Sequence, residues 1–212
     1  MNSENSFKNQ IKRLARGVVD QIHTALPGTV ISYDSGSGRA SVQPSGFFKT
    51  EDGRSLAFPV IHNAPVCFPC GGGGSIGVSF PIKPGDAGLI VFSESQLDDF
   101  LNGGDSDDPR RFALTDAMFI PGMYPAAPPV STTDPSAVVV QNGENTAVMT
   151  SSAFTVTVGS TVFSVSGSGI TGTVGGVPFS ISGGDLTVAG ISLVHHTHGG
   201  VEPGGGSTGQ PQ

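Results

Sequence analysis

The stretch Phe154-Thr-Val-Thr-Val-Gly-Ser-Thr-Val-Phe-Ser-Val-Ser166 alternates apolar side chains with Ser or Thr and is interrupted at Gly159. Alternation of this kind is typical of β-strands with one apolar face, and a glycine between two such runs marks a turn. The pattern recurs over residues 137–194. Short strands with so little charge would aggregate if their edges stayed open. We therefore predict that three copies intertwine into a trimeric β-helix over residues 137–194, sharing one core and pairing every edge.

The composition limits the function classes. Charged residues make up 13% of the 212 residues, the net charge is −7, and all ten Lys and Arg residues lie at or before Arg111. Nucleic-acid binding needs a cationic stripe and an anchor on anionic membranes needs a polybasic patch, so we expect no nucleic acid as a partner. The chain contains no run of about 18 apolar residues that could span a bilayer. Its first residues lack an apolar signal core, which predicts synthesis in a cytoplasm.

Residues 1–27 form the one clear amphipathic helix pattern. Pro27 and Gly28 are expected to end the helix. A free-standing helix of this length is marginally stable in water, so its apolar stripe should pack either on its own domain or on a partner or sister chain. The stripe recurs at steps of three and four residues and consists of Phe7, Ile11, Leu14, Val18, Ile22 and Ala25.

The next region, residues 28–119, predicts a small closed or partly closed barrel with one short helix at 95–102. A proline-rich linker is expected at 120–136, because prolines at 121, 125, 128, 129 and 135 favour an extended chain. The candidate strands lie at 30–33, 39–43, 60–61, 75–80 and 88–92.

The two cysteines, Cys67 and Cys70, form a single CxxC motif followed by four glycines. One pair without a second is weak evidence for zinc, and a thioredoxin-like site needs a helix directly after the motif. We interpret both as buried or incidental thiols.

The C-terminal segment 195–212 opens with His195, His196 and His198 and continues into glycine and proline. On an extended strand, His196 and His198 would leave the same face with Cα atoms roughly 6.5 Å apart. Two ligands per chain are too few for a closed site, whereas three chains on a threefold axis would supply six nitrogens to one ion. The less favoured alternative is a polyhistidine remnant or a disordered tail.

Three stretches resemble the central spike proteins of contractile-tailed bacteriophages, the baseplate assembly protein V type. Two of them resemble the N-terminal barrel: Pro59-Val-Ile-His-Asn-Ala-Pro-Val66 with the following glycines, and Val78-Ser-Phe-Pro-Ile-Lys-Pro-Gly-Asp-Ala-Gly-Leu-Ile-Val-Phe92 together with Asp116-Ala-Met-Phe-Ile-Pro-Gly122. The third, Gly190-Ile-Ser-Leu-Val-His-His-Thr-His-Gly-Gly-Val-Glu-Pro-Gly-Gly-Gly206, is similar to the spike tip.

The resemblance implies a homotrimer with an oligonucleotide/oligosaccharide-binding (OB) barrel, a triple-stranded β-helix and an apex at 195–212. It implies that His196 and His198 of each chain bind one iron ion per trimer, and it assigns no role to His195. It also implies a place at the baseplate tip of the virion tail, contact with baseplate hub proteins through the N-terminal region, and the host outer membrane as the mechanical target.

The sequence patterns bear on three functions. The leading one is a non-enzymatic needle that pierces the host outer membrane when the tail sheath contracts. A metal-assisted hydrolase would need an open ligand position and a nearby general base, and paired carboxylates for glycoside cleavage are absent from the pattern. The alternative is a trimeric adhesin for a host-surface glycan, which predicts an exposed aromatic groove, whereas alternation should turn Phe154, Phe163 and Phe179 inward.

Overall fold

The computed structural model describes residues 3–19, 22–50, 52–105, 107–123, 135–200 and 204. The protein is mainly β, with an N-terminal helix and antiparallel sheets. It divides into two compact units, Met1–Pro129 (unit 1) and Val130–Gln212 (unit 2). Among the described residues, no helix is long and apolar enough to cross a membrane.

The N-terminal helix α1 spans Ser3–Val19, which corrects the helix expected over 1–27. Ala25 and Leu26 instead begin strand β1, where they lie opposite Val91 and Ile90. A strand forms here rather than a helix because Leu26 packs against the core of unit 1 while its main chain joins a sheet. The apolar stripe of α1 is 50–73% exposed at Phe7, Ile11, Leu14 and Val18.

Unit 1 is organised around a five-stranded antiparallel sheet with the order β5-β2-β1-β8-β9. Its edge strands meet where Val66, just after β5, forms a parallel bridge with Phe119 of β9, and the Cys67 N–H donates to the Phe119 carbonyl at 2.8 Å. The strands of unit 1 are β1 (Ala25–Asp34), β2 (Arg39–Pro44), β3 (Phe47–Lys49), β4 (Ser55–Ala57), β5 (Ile61–Pro65), β6 (Cys70–Gly71), β7 (Ile76–Gly77), β8 (Ala87–Phe92) and β9 (Ala117–Met123).

The core of unit 1 comes from alternate residues of these strands. Val42, Ile90 and Phe119 are completely buried, and every second residue of β2 and β8 is buried. A side chain at Gly88 would collide with the Phe119 ring and the Ile120 carbonyl, so this position of β8 needs glycine.

Two further strand expectations are corrected. The expected strand at 75–80 is reduced to β7, which pairs with β6 around a short 3-10 helix, Gly72–Gly74, whose glycines have positive φ values. Strand β9 extends through Pro121 and Gly122, which had indicated a linker; an edge strand tolerates Pro121 because it leaves one row of N–H groups unpaired. The short helix α2 is Asp98–Leu101, with Leu97 buried and Leu101 exposed.

Unit 2 is an eight-stranded antiparallel meander in which each strand pairs with its neighbours in sequence. The predicted alternation of apolar and polar side chains along short strands is confirmed. The inner strands of this sheet need no other copy to pair their edges, because among the described residues only β10 and β17 are edge strands. The strands are β10 (Val138–Asn142), β11 (Asn145–Met149), β12 (Ala153–Val158), β13 (Thr161–Ser166), β14 (Gly169–Val174), β15 (Val177–Ser182), β16 (Asp185–Val188) and β17 (Ile191–Ser192).

The register of this meander sorts its side chains onto two chemically different faces. Val165 lies opposite Phe154 and Ile170, whereas Ser164 lies opposite Thr155 and Thr171. The second face is dominated by Ser and Thr. The first, called the apolar face below, carries Val138, Val140, Ala147, Met149, Phe154, Val156, Val158, Phe163, Val165, Ile170, Gly172, Val174, Val177, Phe179, Ile181, Leu186, Val188 and Ile191.

The apolar face is uncovered within one chain. The exposed large side chains on this face keep between 38% (Val165) and 67% (Val140) of their surface accessible. Among residues 135–200, none is buried, whereas the buried core residues all belong to unit 1. A single copy of unit 2 therefore has a hydrogen-bonded sheet but no core.

Candidate metal centre at the C-terminal apex

The candidate ligands follow the last hairpin of the meander. After β17, the chain turns back, and the Leu193 N–H donates to the Leu186 carbonyl at 2.7 Å. His195 lies in this turn, whereas His196 and His198 lie just beyond it without regular secondary structure. The expected extended strand therefore ends before the two histidines.

The rings of His196 and His198 nevertheless lie side by side. Their centroids are 5.0 Å apart and their planes make an angle of 79°, an edge-to-face contact. Both residues are exposed, as is His195. The turn thus brings together the two predicted ligands of one chain at an accessible position.

The main chain fixes one ring nitrogen of His196. Its Nδ1 lies 2.7 Å from the Ser192 carbonyl oxygen and 3.2 Å from that of Leu193. A carbonyl oxygen only accepts hydrogen bonds, so Nδ1 must carry the proton and donate. In the neutral ring this leaves the lone pair on Nε2, the atom that can bind a metal.

Ser192 and Asp185 hold the turn in place. The Ser192 Oγ accepts the His195 N–H at 2.7 Å, and an Asp185 carboxylate oxygen accepts the Val194 N–H at 3.2 Å. A hydrogen bond from the Ser192 side chain is the main cause that lowers the pKa of Asp185 below its ordinary value of 3.8. The hydrogen bond from the Val194 N–H and the charge of the nearby His195 lower this pKa further. The sequence pattern did not single out either residue, because their contact depends on the pairing of β16 with β17.

One chain cannot complete a metal site from the described residues. Among them, no three His, Cys, Asp or Glu side chains cluster in a way that could hold an ion. Two imidazoles are a chemically suitable but partial set, since structural zinc takes four ligands and octahedral ions take six. Glu202 and most of the glycine-rich tail lie outside the described residues.

The CxxC motif lies far along the chain from these histidines, in unit 1. Cys67 is partly buried, Cys70 is exposed, and both are free thiols. Burial, and then the neighbouring Cys70, raise the pKa of the Cys67 thiol above its ordinary value. A raised pKa reduces the thiolate fraction, which is the form that attacks and binds metals.

Comparison with known proteins finds a family match for two segments of the chain. Residues 26–122 match the family described as phage protein Gp138 N-terminal domain, and residues 190–212 match the GpV apex motif. The two matches support a phage central spike protein. No curated protein matches the spike chain. Both matched families are structural components of phage baseplates and spikes, which indicates a location in the virion tail.

Proposed function

We propose that the protein forms the homotrimeric needle at the tip of the tail baseplate, which pierces the host outer membrane during sheath contraction. The observation that carries this proposal is the uncovered apolar face of unit 2. Burying a Val, Leu, Ile or Phe side chain contributes roughly 1.5–3 kcal/mol. A sheet with this many exposed apolar residues is therefore expected to gain its stability by association.

Three sheets that turn their apolar faces inward would enclose one core and leave the Ser and Thr faces in water. Two sheets could also form a sandwich. The apex favours three, because two imidazoles per chain then become six, a set that suits an octahedral ion. We propose iron, following the resemblance to phage spikes, with His196 and His198 of each chain as ligands.

The sheet order supports an OB barrel in unit 1. The order β5-β2-β1-β8-β9, with the parallel bridge between Val66 and Phe119, joins the two edges as closure of a five-stranded barrel requires. We propose that the N-terminal region holds the baseplate hub proteins. The exposed stripe of α1 supplies an apolar surface for this, with Lys8, Lys12, Arg13 and Arg16 around it.

The proposed role is mechanical and requires no catalysis. The sheath supplies the energy, and the needle has to remain straight and narrow. At the apex, three thin chain ends have little volume for a core, so coordination of a shared ion would replace apolar packing and hold the ends together.

The alternative adhesin finds less support in unit 2. Phe154, Phe163 and Phe179 lie on the apolar face among Val, Ile and Leu. Sugar recognition needs polar groups beside aromatic rings, whereas the polar side chains of this sheet lie on its other face. Cover by sister chains accounts for these three rings more simply.

A matched pair of substitutions on β14 tests the trimer. Ile170 lies on the apolar face opposite Val165 and Ile181, and its neighbour Thr171 lies on the other face opposite Ser164 and Ser180. Ile170→Glu should reduce the trimer, because a carboxylate would enter the shared core, whereas Thr171→Glu should leave it intact. Light scattering measures the mass against the 21.5 kDa chain. Equal masses for both variants and the parent protein would contradict the inward orientation of the apolar face.

A further inference from the structure

A groove of about 590 Å³ lies where the chain of unit 1 leaves β8, and it is called the α2 groove below. Its apolar lining comes from Leu97, Phe100 and Met118, and Asp105 also lines it. Among the described residues, the lining belongs to the segment after β8, to α2 and to β9, and none of it to β2 or β5. We propose that, in the free spike, helix α1 of a sister chain occupies this groove, an inference that rests on the proposed trimer and goes beyond the needle role.

The floor of the α2 groove is held in place before a partner arrives. Leu97 is buried, and its N–H donates to a carboxylate oxygen of Asp116 at 3.0 Å. The buried Asp116 also accepts the Ser93 N–H on its carbonyl at 2.8 Å and forms an ion pair with Arg110 at 3.1 Å. Asp116 thus fixes the segment that forms the groove from its start to its end, which lowers the entropy cost of binding.

The surface of the groove is both apolar and acidic. Phe100 is 72% exposed although it lines the groove, and its neighbour Leu101 is exposed as well. Residues 93–108 contain six Asp or Glu and no Lys or Arg. Asp108 pairs with Arg110, and the segment still carries an excess of negative charge. A partner that covers Phe100 must therefore bring apolar side chains together with positive charge.

Helix α1 has this complementary chemistry. Its apolar stripe is uncovered in the single chain, and the steps of three and four residues are those of a helix that lays one face into a groove. The helix carries four Lys or Arg and one Glu. Lys8 lies on one flank of the stripe and Arg13 on the other. An apolar stripe with basic flanks fits an apolar groove with an acidic rim.

A second copy of the chain is the occupant that these surfaces favour. Within one chain, α1 does not fill its own groove, because both the stripe and Phe100 are exposed. Packing the three α1 helices on one another would bring their basic side chains together, and like charges repel. Seating each α1 on the next chain pairs opposite charges instead, and three such contacts close a ring on a threefold axis. The hub proteins would then take over the stripe from the groove when the spike joins the baseplate.

Cross-linking between chains tests this contact. Ala15 lies beside the stripe, Asn9 lies on the opposite side of α1, and Ser95 is exposed and lines the groove. The native thiols are first removed from the full chain by Cys67→Ser and Cys70→Ser. Ala15→Cys together with Ser95→Cys should then give two and three linked 21.5 kDa chains on a denaturing gel after treatment with a short bismaleimide. Asn9→Cys together with Ser95→Cys is the matched control and should leave the chains unlinked.

Charge reversal tests the complementarity separately. Lys8→Glu, added to the cysteine pair at 15 and 95, should lower the cross-linked yield about two- to fivefold, the scale of one exposed ion pair. Adding Asp105→Lys to that variant should restore the yield, because the two charges are then exchanged. Lys49→Glu is the control, since Lys49 lies in β3 and belongs to neither surface, and it should leave the yield unchanged.

The mass of the parent protein by light scattering separates this inference from the needle proposal. In a trimeric parent, links within single chains, equal links from positions 9 and 15, or no links would overturn the occupancy of the groove and leave the trimer standing. A yield that Asp105→Lys does not restore would do the same. A monomeric parent would overturn the proposed trimer and this inference together.

Discussion

At the residue scale, the apex depends on which nitrogen of His196 is available. The Ser192 carbonyl engages Nδ1 at 2.7 Å, so Nε2 is the atom left to bind a metal. His198 lies beside it, with 5.0 Å between the ring centroids. The pair is thus arranged before any ion binds, which reduces the ordering that metal binding requires.

Replacing both His196 and His198 with Ala should give a protein that contains no iron but is still trimeric. The proposed ligands are lost, whereas the apolar face that is proposed to drive association lies upstream. Elemental analysis and light scattering measure the two properties on the same sample. His195→Ala is the control and should keep the iron. One iron per trimer in the double variant would place the ligands elsewhere.

At the element scale, the β16–β17 hairpin supports the proposed metal ligands, His196 and His198. Ser192→Ala removes the Oγ that accepts the His195 N–H and contacts Asp185. We expect iron affinity to fall by about 10- to 100-fold, as for other residues that orient metal ligands, without a change in trimer mass. A chelator competition titration measures this loss.

Ser180→Ala is the matched control for this prediction. Ser180 lies two strands before Ser192 on the same polar face, opposite Thr171 and Thr187, away from the apex turn. It should leave iron affinity unchanged. If Ser192→Ala and Ser180→Ala behave alike, the turn does not position the ligands.

The elements of unit 2 could be predicted from sequence because period two depends only on neighbouring residues. Phe154, Val156 and Val158 share a face wherever the strand lies. The pairing partners depend on turn geometry, so the pairing of each strand with its neighbours in the same chain was not foreseen. In unit 1, Pro121 and Gly122 had the local signature of a linker, and only pairing of β9 with β8 overrides it.

The contacts of the candidate site could also be predicted only in part from sequence. Residues two apart in sequence, such as His196 and His198, can be proposed as a pair from spacing alone. Asp185 and Ser192 are seven residues apart and meet only through the hairpin. Sequence spacing carries no signal for such contacts.

At the scale of the whole molecule, the two units differ in how they are stabilised. Unit 1 has a buried core around Val42, Ile90 and Phe119 within one chain. Unit 2 has no buried residue among those described between 135 and 200. We therefore expect unit 1 to fold alone and unit 2 to require sister chains.

Native mass spectrometry of the intact protein tests the proposed metal-capped trimer, because it reports the number of chains and of metal ions in one particle. We expect a mass of three 21.5 kDa chains plus one iron ion. A folded monomer, or a dimer that buries the apolar face between two sheets, would contradict the proposed trimer.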